Sequence, residues 1–129
     1  MMKVLNILIR RCIMIDRFEE TVSFYENLMS QQARLRFDYP QHALKLAQIG
    51  SVLLIGGTEK SLAPFSATQA TFLVNDIAAW QHSLPSMGAT ILHPVKAVPT
   101  GWNMLVRHPD GMITEYVEHH TKNPADEIL

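Results

Sequence analysis

The sequence runs through one pattern twice, and a repeated supersecondary unit restricts the fold more than any single segment can. In the first half an apolar run over residues 4–15 leads into a helical pattern and then into short apolar segments divided by turns. In the second half Ala70–Val74 leads through Asn75 and Asp76 into another helical pattern and more short apolar segments. Arg17 and Asp76 precede the two helices, and Gly50 and Gly111 mark the turn before the last strand of each half. Both pairs lie about 60 residues apart, a coincidence that duplication explains. The expected organisation is a single domain over residues 1–120, with module one at 3–57, a linker at 58–67 and module two at 68–119. Residues 121–129 follow as a polar tail containing Pro124, expected to fray.

The helices carry the strongest periodicity. In the first, Phe18, Val22, Tyr25 and Leu28 or Met29 share one face, with Glu19, Glu20, Glu26 and Asn27 on the others. Asp16 is the expected N-cap, with Glu19 completing a near capping box. In the second, Ile77, Trp80, Leu84 and Met87 form the stripe, capped by Asn75 or Asp76 and ended by Gly88. Pro85 should disturb the last turn, because it lacks an N–H. Strands are expected at 33–37, 43–49 and 52–55, then at 89–92, 102–107 and 112–118. A loop with Pro94, Pro99 and Gly101 separates two of them, and His108-Pro109-Asp110-Gly111 suits a tight turn.

Composition narrows the function classes. Hydrophobic residues make up 47% of the 129 and charged residues 18%, ordinary values for a folded domain. Eleven basic and twelve acidic side chains give a net charge of -1, which lacks the basic footprint of a nucleic-acid partner. The single Cys12 excludes an intramolecular disulfide framework and a CxxC zinc site, and points to a reducing compartment. No apolar run reaches the roughly 20 residues that span a bilayer, so no membrane partner is expected. The apolar stretch at 4–9 is short, contains Asn6 and runs into Arg10 and Arg11. It reads as a strand rather than a signal peptide, and the protein as cytoplasmic. No GxSxG elbow, P-loop or dinucleotide fingerprint occurs. The six histidines show no ligand spacing on one element.

Three segments carry a family resemblance. Asp16-Arg17-Phe18-Glu19-Glu20 through Ser23-Phe24-Tyr25-Glu26 is one, and Val74-Asn75-Asp76-Ile77 another. Arg107-His108-Pro109-Asp110-Gly111 through Thr114-Glu115-Tyr116 is the third. Together, over residues 3–119, they resemble the vicinal oxygen chelate superfamily, which includes glyoxalase I, extradiol dioxygenases, fosfomycin-modifying enzymes and bleomycin-resistance binding proteins. The resemblance implies an α+β fold of two βαβββ modules forming a curled mixed-sheet half-barrel cleft. Members of this length are commonly homodimers.

Family enzymes hold a divalent metal with side chains from the first and last strand of each module. Counting back from Arg17 and Asp76 by the family's spacing gives Arg10 and Gln69; counting on from Gly50 and Gly111 gives Leu54 and Glu115. Of these four only Glu115 is a good hard-metal ligand. Gln69 offers a weak carbonyl donor, Leu54 offers nothing, and the Arg10 guanidinium would repel a cation. The expectation is therefore a site with no metal cofactor, in which Arg10 pairs with Glu115 where the ion would sit.

Strand alternation extends the ligand-binding set. Cys12 and Met14 should share a face with Arg10; Thr71 and Leu73 with Gln69; Ile113 and Val117 with Glu115. Ile13, Ile15, Phe72, Val74 and Tyr116 should pack under the helices. Trp102 is a further candidate, as an aromatic at the cleft mouth. Each residue also has a plainer reading: Cys12 as a small buried hydrophobe, Glu115 as a structural carboxylate, Trp102 as a core aromatic. The function expected is a small-molecule-binding protein of the glyoxalase/bleomycin-resistance type that takes a partly hydrophobic ligand. The alternative is a metal-dependent lyase, isomerase or dioxygenase using Glu115 as ligand or base. A dimeric scaffold with a closed cleft is a third reading.

Overall fold

The first strand, β1 (Val4–Met14), alternates buried and exposed side chains and runs into a 3-10 turn at Ile15–Arg17. That turn feeds α1 (Phe18–Met29), which is followed by β2 (Leu35–Tyr39), β3 (Leu44–Ile49) and β4 (Val52–Gly57). The short α2 (Glu59–Leu62) leads to β5 (Ala70–Val74), α3 (Ile77–Ser83), β6 (Thr90–Val98), β7 (Gly101–Arg107) and β8 (Ile113–His119). The computed structural model describes residues 1–129. Two βαβββ modules are present, as the sequence pattern predicts, and the fold class is α+β. No helix is long and apolar enough to cross a membrane.

The chain forms two compact units. One is Leu8–Ala67; the other is Thr68–Leu129 joined by Met1–Ile7. In the first the strand order is β2-β3-β4-β1, with β1 and β4 parallel and the other pairs antiparallel. In the second it is β5-β8-β7-β6, with β5 and β8 parallel and the rest antiparallel. Residues 1–7 are tied to this unit by the Asn75 N–H donating to the Lys3 carbonyl at 3.2 Å and the Lys3 N–H donating to Asn75 Oδ1 at 2.6 Å.

Each unit buries one face of its strands under its helix. Phe18 and Val22 of α1 pack on Ala47, Ile49 and Leu54, with Ile13 and Tyr25 at the margin. The fit is close: a Cβ on Gly56 would lie 2.5 Å from the Phe18 ring. Ile77 of α3 and Leu84 pack on Val74, Met104, Val106 and Tyr116, with Phe72 and Trp80 against them.

The departures from expectation have local causes. Asp16 is inside the 3-10 turn, and Arg17 takes the N-cap position of α1 without a side-chain cap. Asp76 caps α3 as expected, accepting from the Ala79 N–H at 3.3 Å. Pro85 ends the α-helical hydrogen bonding early, so residues 84–87 form a 3-10 turn and Gly88 closes it at φ +92°. The linker holds a reciprocal capping box between Thr58 and Ser61, which starts α2. β6 continues through Pro94 by shifting register between Ile91 and Lys96. An edge strand tolerates this proline because one side of its ladder has no partner. The tail does not fray: the Ile128 and Leu129 N–H groups donate to the Leu5 carbonyl at 2.9 and 3.2 Å.

Two glycines set steric overlap added to a positive φ (Gly101, φ +158°) against a positive φ alone. A Cβ on Gly101 would lie 2.0 Å from the Glu118 carbonyl oxygen, backbone that cannot yield without breaking the β7–β8 ladder. A Cβ on Gly111 would meet nothing, and only its φ of +96° opposes substitution. Urea denaturation is expected to show Gly101→Ala losing about 2–3 kcal/mol and Gly111→Ala about 1 kcal/mol. Equal losses would contradict the steric account.

Candidate functional site

In the unit built on β5, β8 and β7, one face is committed to α3 through Phe72, Val74, Tyr116, Met104 and Val106. Alternation places Thr71, Leu73, Ile113, Glu115, Val117, Asn103 and Leu105 on the opposite face. Thr71 is registered beside Glu115 in the parallel pair, and Leu105 opposite Glu115 in the antiparallel pair. Glu115 is thus the one carboxylate on this face of the three strands, which is otherwise mostly apolar and carries Arg107 at its edge. Its Oε1 accepts from the Thr71 hydroxyl at 2.9 Å and its Oε2 from the Asn103 side-chain amide at 2.8 Å. Both of these donors are neutral groups, and each is directed at a different oxygen. The Asn103 amide has only this orientation, because a flipped oxygen would face the carboxylate. Its own Oδ1 is buried and accepts no hydrogen bond. Thr71 stands beside Glu115, on the face where strand alternation puts it, and Asn103 is a partner of Glu115 that the sequence did not single out. The register of the Pro109–Gly111 turn could have found it, because Arg107 opposite Ile113 sets Asn103 opposite Val117, diagonal to Glu115.

The remaining members of the expected quartet are placed less favourably for a metal. Gln69 is at the exposed start of β5, where its Oε1 accepts from the Ile113 N–H at 3.1 Å and its backbone N–H donates to the Ile113 carbonyl at 2.8 Å. Its side-chain carbonyl is thereby committed as an acceptor to the start of β8. Leu54 corrects an expectation: it is fully buried under α1, not on the face of Arg10. In the parallel β1–β4 pair, Leu54 is beside Arg11, Leu53 beside Arg10 and Ile55 beside Cys12. Cys12 and Thr71 lie the same distance ahead of their helix caps, so Ile55 holds the place beside Cys12 that Glu115 holds beside Thr71. Counting from the turn glycine failed because the Gly50–Ser51 hairpin closes on Ile49 and Val52, which face α1, whereas the longer turn closes on Arg107 and Ile113, on the face turned from α3. No group of three or more His, Cys, Asp or Glu side chains converges to hold a metal ion. The donor set does not fit a divalent cation.

Cys12 and Met14 line a hollow of about 520 Å³, together with Arg11, Arg17, Phe24 and Tyr25. Cys12 is a free, half-buried thiol. Trp102 corrects a second expectation. It shares the parity of Met104 and Val106, so it stands on the α3 face, where its ring meets His120 edge-on at 4.5 Å. Glu115 and Asn103 face the other way.

The end of β8 carries two perturbed groups. Burial alone would raise the Glu118 pKa, but the Lys122 ammonium at 2.7 Å and the Ile77 N–H at 2.9 Å hold it below the ordinary carboxylate range. Burial pulls the His119 imidazole below its ordinary pKa, and the Asp126 carboxylate 3.9 Å away only partly opposes this. Burial also pushes up the Tyr116 phenol, whose hydroxyl lies 2.9 Å from His108 Nε2. The sign for His119 follows from linkage. The unfolded chain takes up its proton near pH 6.5, before the folded chain does, so stability is full above that value and falls as the pH drops below it. Denaturation at pH 7.5 and 5.5 is expected to show wild type losing more stability than His119→Gln. Equal losses would mean that Asp126 balances burial, and a smaller loss in wild type that it outweighs burial. The Glu118 contribution is lost only in more acid solution, as pH falls through its lowered folded pKa.

No protein-family model and no curated protein matches the sequence. Among solved structures, an uncharacterized hypothetical protein from Methanosarcina mazei is 43% identical, over 94% of this chain and 97% of its own, with a TM-score of 0.84. Methylmalonyl-CoA epimerase from Mycobacterium tuberculosis is 15% identical over 92% of this chain and 90% of its own, with a TM-score of 0.68. A variant of 4-hydroxymandelate synthase from Streptomyces coelicolor is 15% identical over 95% of this chain and 50% of its own, with a TM-score of 0.60. The last two share the fold. The chain belongs to the family of the Methanosarcina mazei protein, and its fold is that of the vicinal oxygen chelate superfamily.

Proposed function

We propose that the protein binds a small, partly hydrophobic molecule on the face of β5, β8 and β7, with Glu115 as its polar anchor and no divalent metal between them. The observation that carries this reading is the carboxylate held at both oxygens by the neutral donors Thr71 and Asn103. Such a group is oriented for recognition, and Leu105 and Ile113, both partly exposed, supply apolar surface of the kind a small-molecule site needs. A carboxylate anchor only accepts hydrogen bonds, so it favours a ligand that brings an N–H or O–H donor, such as an amide. Arg10 belongs to the other unit, Leu8–Ala67, and the proposed site is stated without it. The family resemblance supports a homodimer, and the single Cys12 supports a reducing, cytoplasmic compartment. The metal-dependent lyase, isomerase or dioxygenase reading needs donors that Leu54 and Gln69 do not supply.

Thermal denaturation with two sets of additives tests the proposal. One set is Mn2+, Co2+, Ni2+ and Zn2+, each with and without chelator. The other is a panel of aromatic and aliphatic amides with their matched esters, plus methylmalonyl-CoA because structural neighbours include its epimerase. The metals are expected to shift the midpoint by about 1 °C or less. An amide at a hundred times its Kd should stabilise by about 2.7 kcal/mol, with its ester weaker and the effect lost in Glu115→Gln. Stabilisation by a metal, reversed by chelator and absent in Glu115→Gln, would overturn the proposal.

A further inference from the structure

A second hollow, of about 460 Å³, lies wholly within the unit of residues 1–7 and 68–129. Its size alone is in the range of small-molecule pockets, about 300–1000 Å³. Leu5, Leu73 and Val117 line it on the apolar side, and Leu73 and Val117 are the strand pair next to Thr71 and Glu115. Residues 121–127 of the tail lie against it. The tail is held by the hydrogen bonds of Ile128 and Leu129 to Leu5, by Asp126 beside His119, and by an ion pair between Lys3 and Glu127.

The charges around the hollow differ in how firmly they are committed. Lys122 donates to both Glu118 at 2.7 Å and the His119 carbonyl at 2.9 Å. Asp126 is buried and faces His119. Lys3 and Glu127 are both half exposed, 46% and 41%. A pair so open to water contributes little net stability. Another carboxylate could therefore replace Glu127 on Lys3 with the ion pair conserved and Glu127 released to solvent. The apolar part of the incoming acid would then supply the net gain by leaving water for the partly exposed Leu5 and the exposed ring of Pro124, with Leu73 and Val117 buried in the wall.

We propose that this hollow is a binding site for a small amphipathic carboxylate, with Lys3 as its anion partner and Glu127 as the tethered carboxylate that occupies Lys3 in its absence. The inference is separate from the Glu115 reading and stands or falls without it. Octanoate and 1-octanol are the probes, used below their aggregation limits, with binding measured by calorimetry and located by amide chemical shifts. Octanoate is expected to bind saturably and to shift the amides of Leu5, Leu73 and Val117. Lys3→Met should weaken it about fivefold and Glu127→Gln tighten it about fivefold, the scale of one half-exposed ion pair. Both variants alter exposed side chains, and their thermal midpoints verify that the fold is kept. Octanol binding as tightly as octanoate would overturn the carboxylate class. So would an unchanged affinity in Glu127→Gln, saturable binding of neither probe, or shifts centred on Thr71 and Asn103 instead.

Discussion

A carboxylate gripped at both oxygens by neighbours from two other strands is the interaction on which the candidate site depends. Withdrawing a charged group from water is costly unless hydrogen bonds replace the solvent. Here Thr71 comes from β5 and Asn103 from β7, with Glu115 between them on β8. The site is satisfied only if β5 runs parallel to β8 in one register and β7 antiparallel in another. A slip of one residue in either ladder would turn a donor toward α3 and leave the carboxylate short. The same alternation sends Phe72, Tyr116 and Met104 to the helix side. Core and site are therefore two consequences of one register.

This arrangement also bears on metal chemistry. Members of the superfamily that hold a cation need donors on the first and last strand of each module. In this chain the last strand of the first module offers Ile55 on the relevant face, and Gln69 spends its side-chain oxygen on the start of β8. What survives of a ligand set is one acid, and its two oxygens are already directed by a hydroxyl and an amide. That is the chemistry of the hydrogen-bonded anchor we propose.

Much of this was legible in the sequence because duplication and alternation are simple periodic signals. Thr71, Leu73, Ile113 and Val117 share a face with Glu115, as parity alone predicts, and Asp76 and Gly88 delimit the second helix as their chemistry requires. What escaped depended on phase or on distant contacts. Leu54 was misplaced because a glycine marks a turn without stating which way the flanking residues face. Trp102 looked like a ligand contact by residue type, but its parity ties it to Met104 and Val106. Asn103 carries no signal of its own until the β7–β8 register is known. The tail was read as loose because its composition is polar; its order comes from Leu5 and Lys3, far away in sequence.

The direct measurement is anomalous diffraction from crystals of the wild-type protein grown in excess cobalt or zinc. The account predicts no peak within coordination distance, about 2 Å, of either Glu115 oxygen, with Thr71 and Asn103 still donating to them. A metal peak there, with the Asn103 amide turned aside to admit it, would contradict the account.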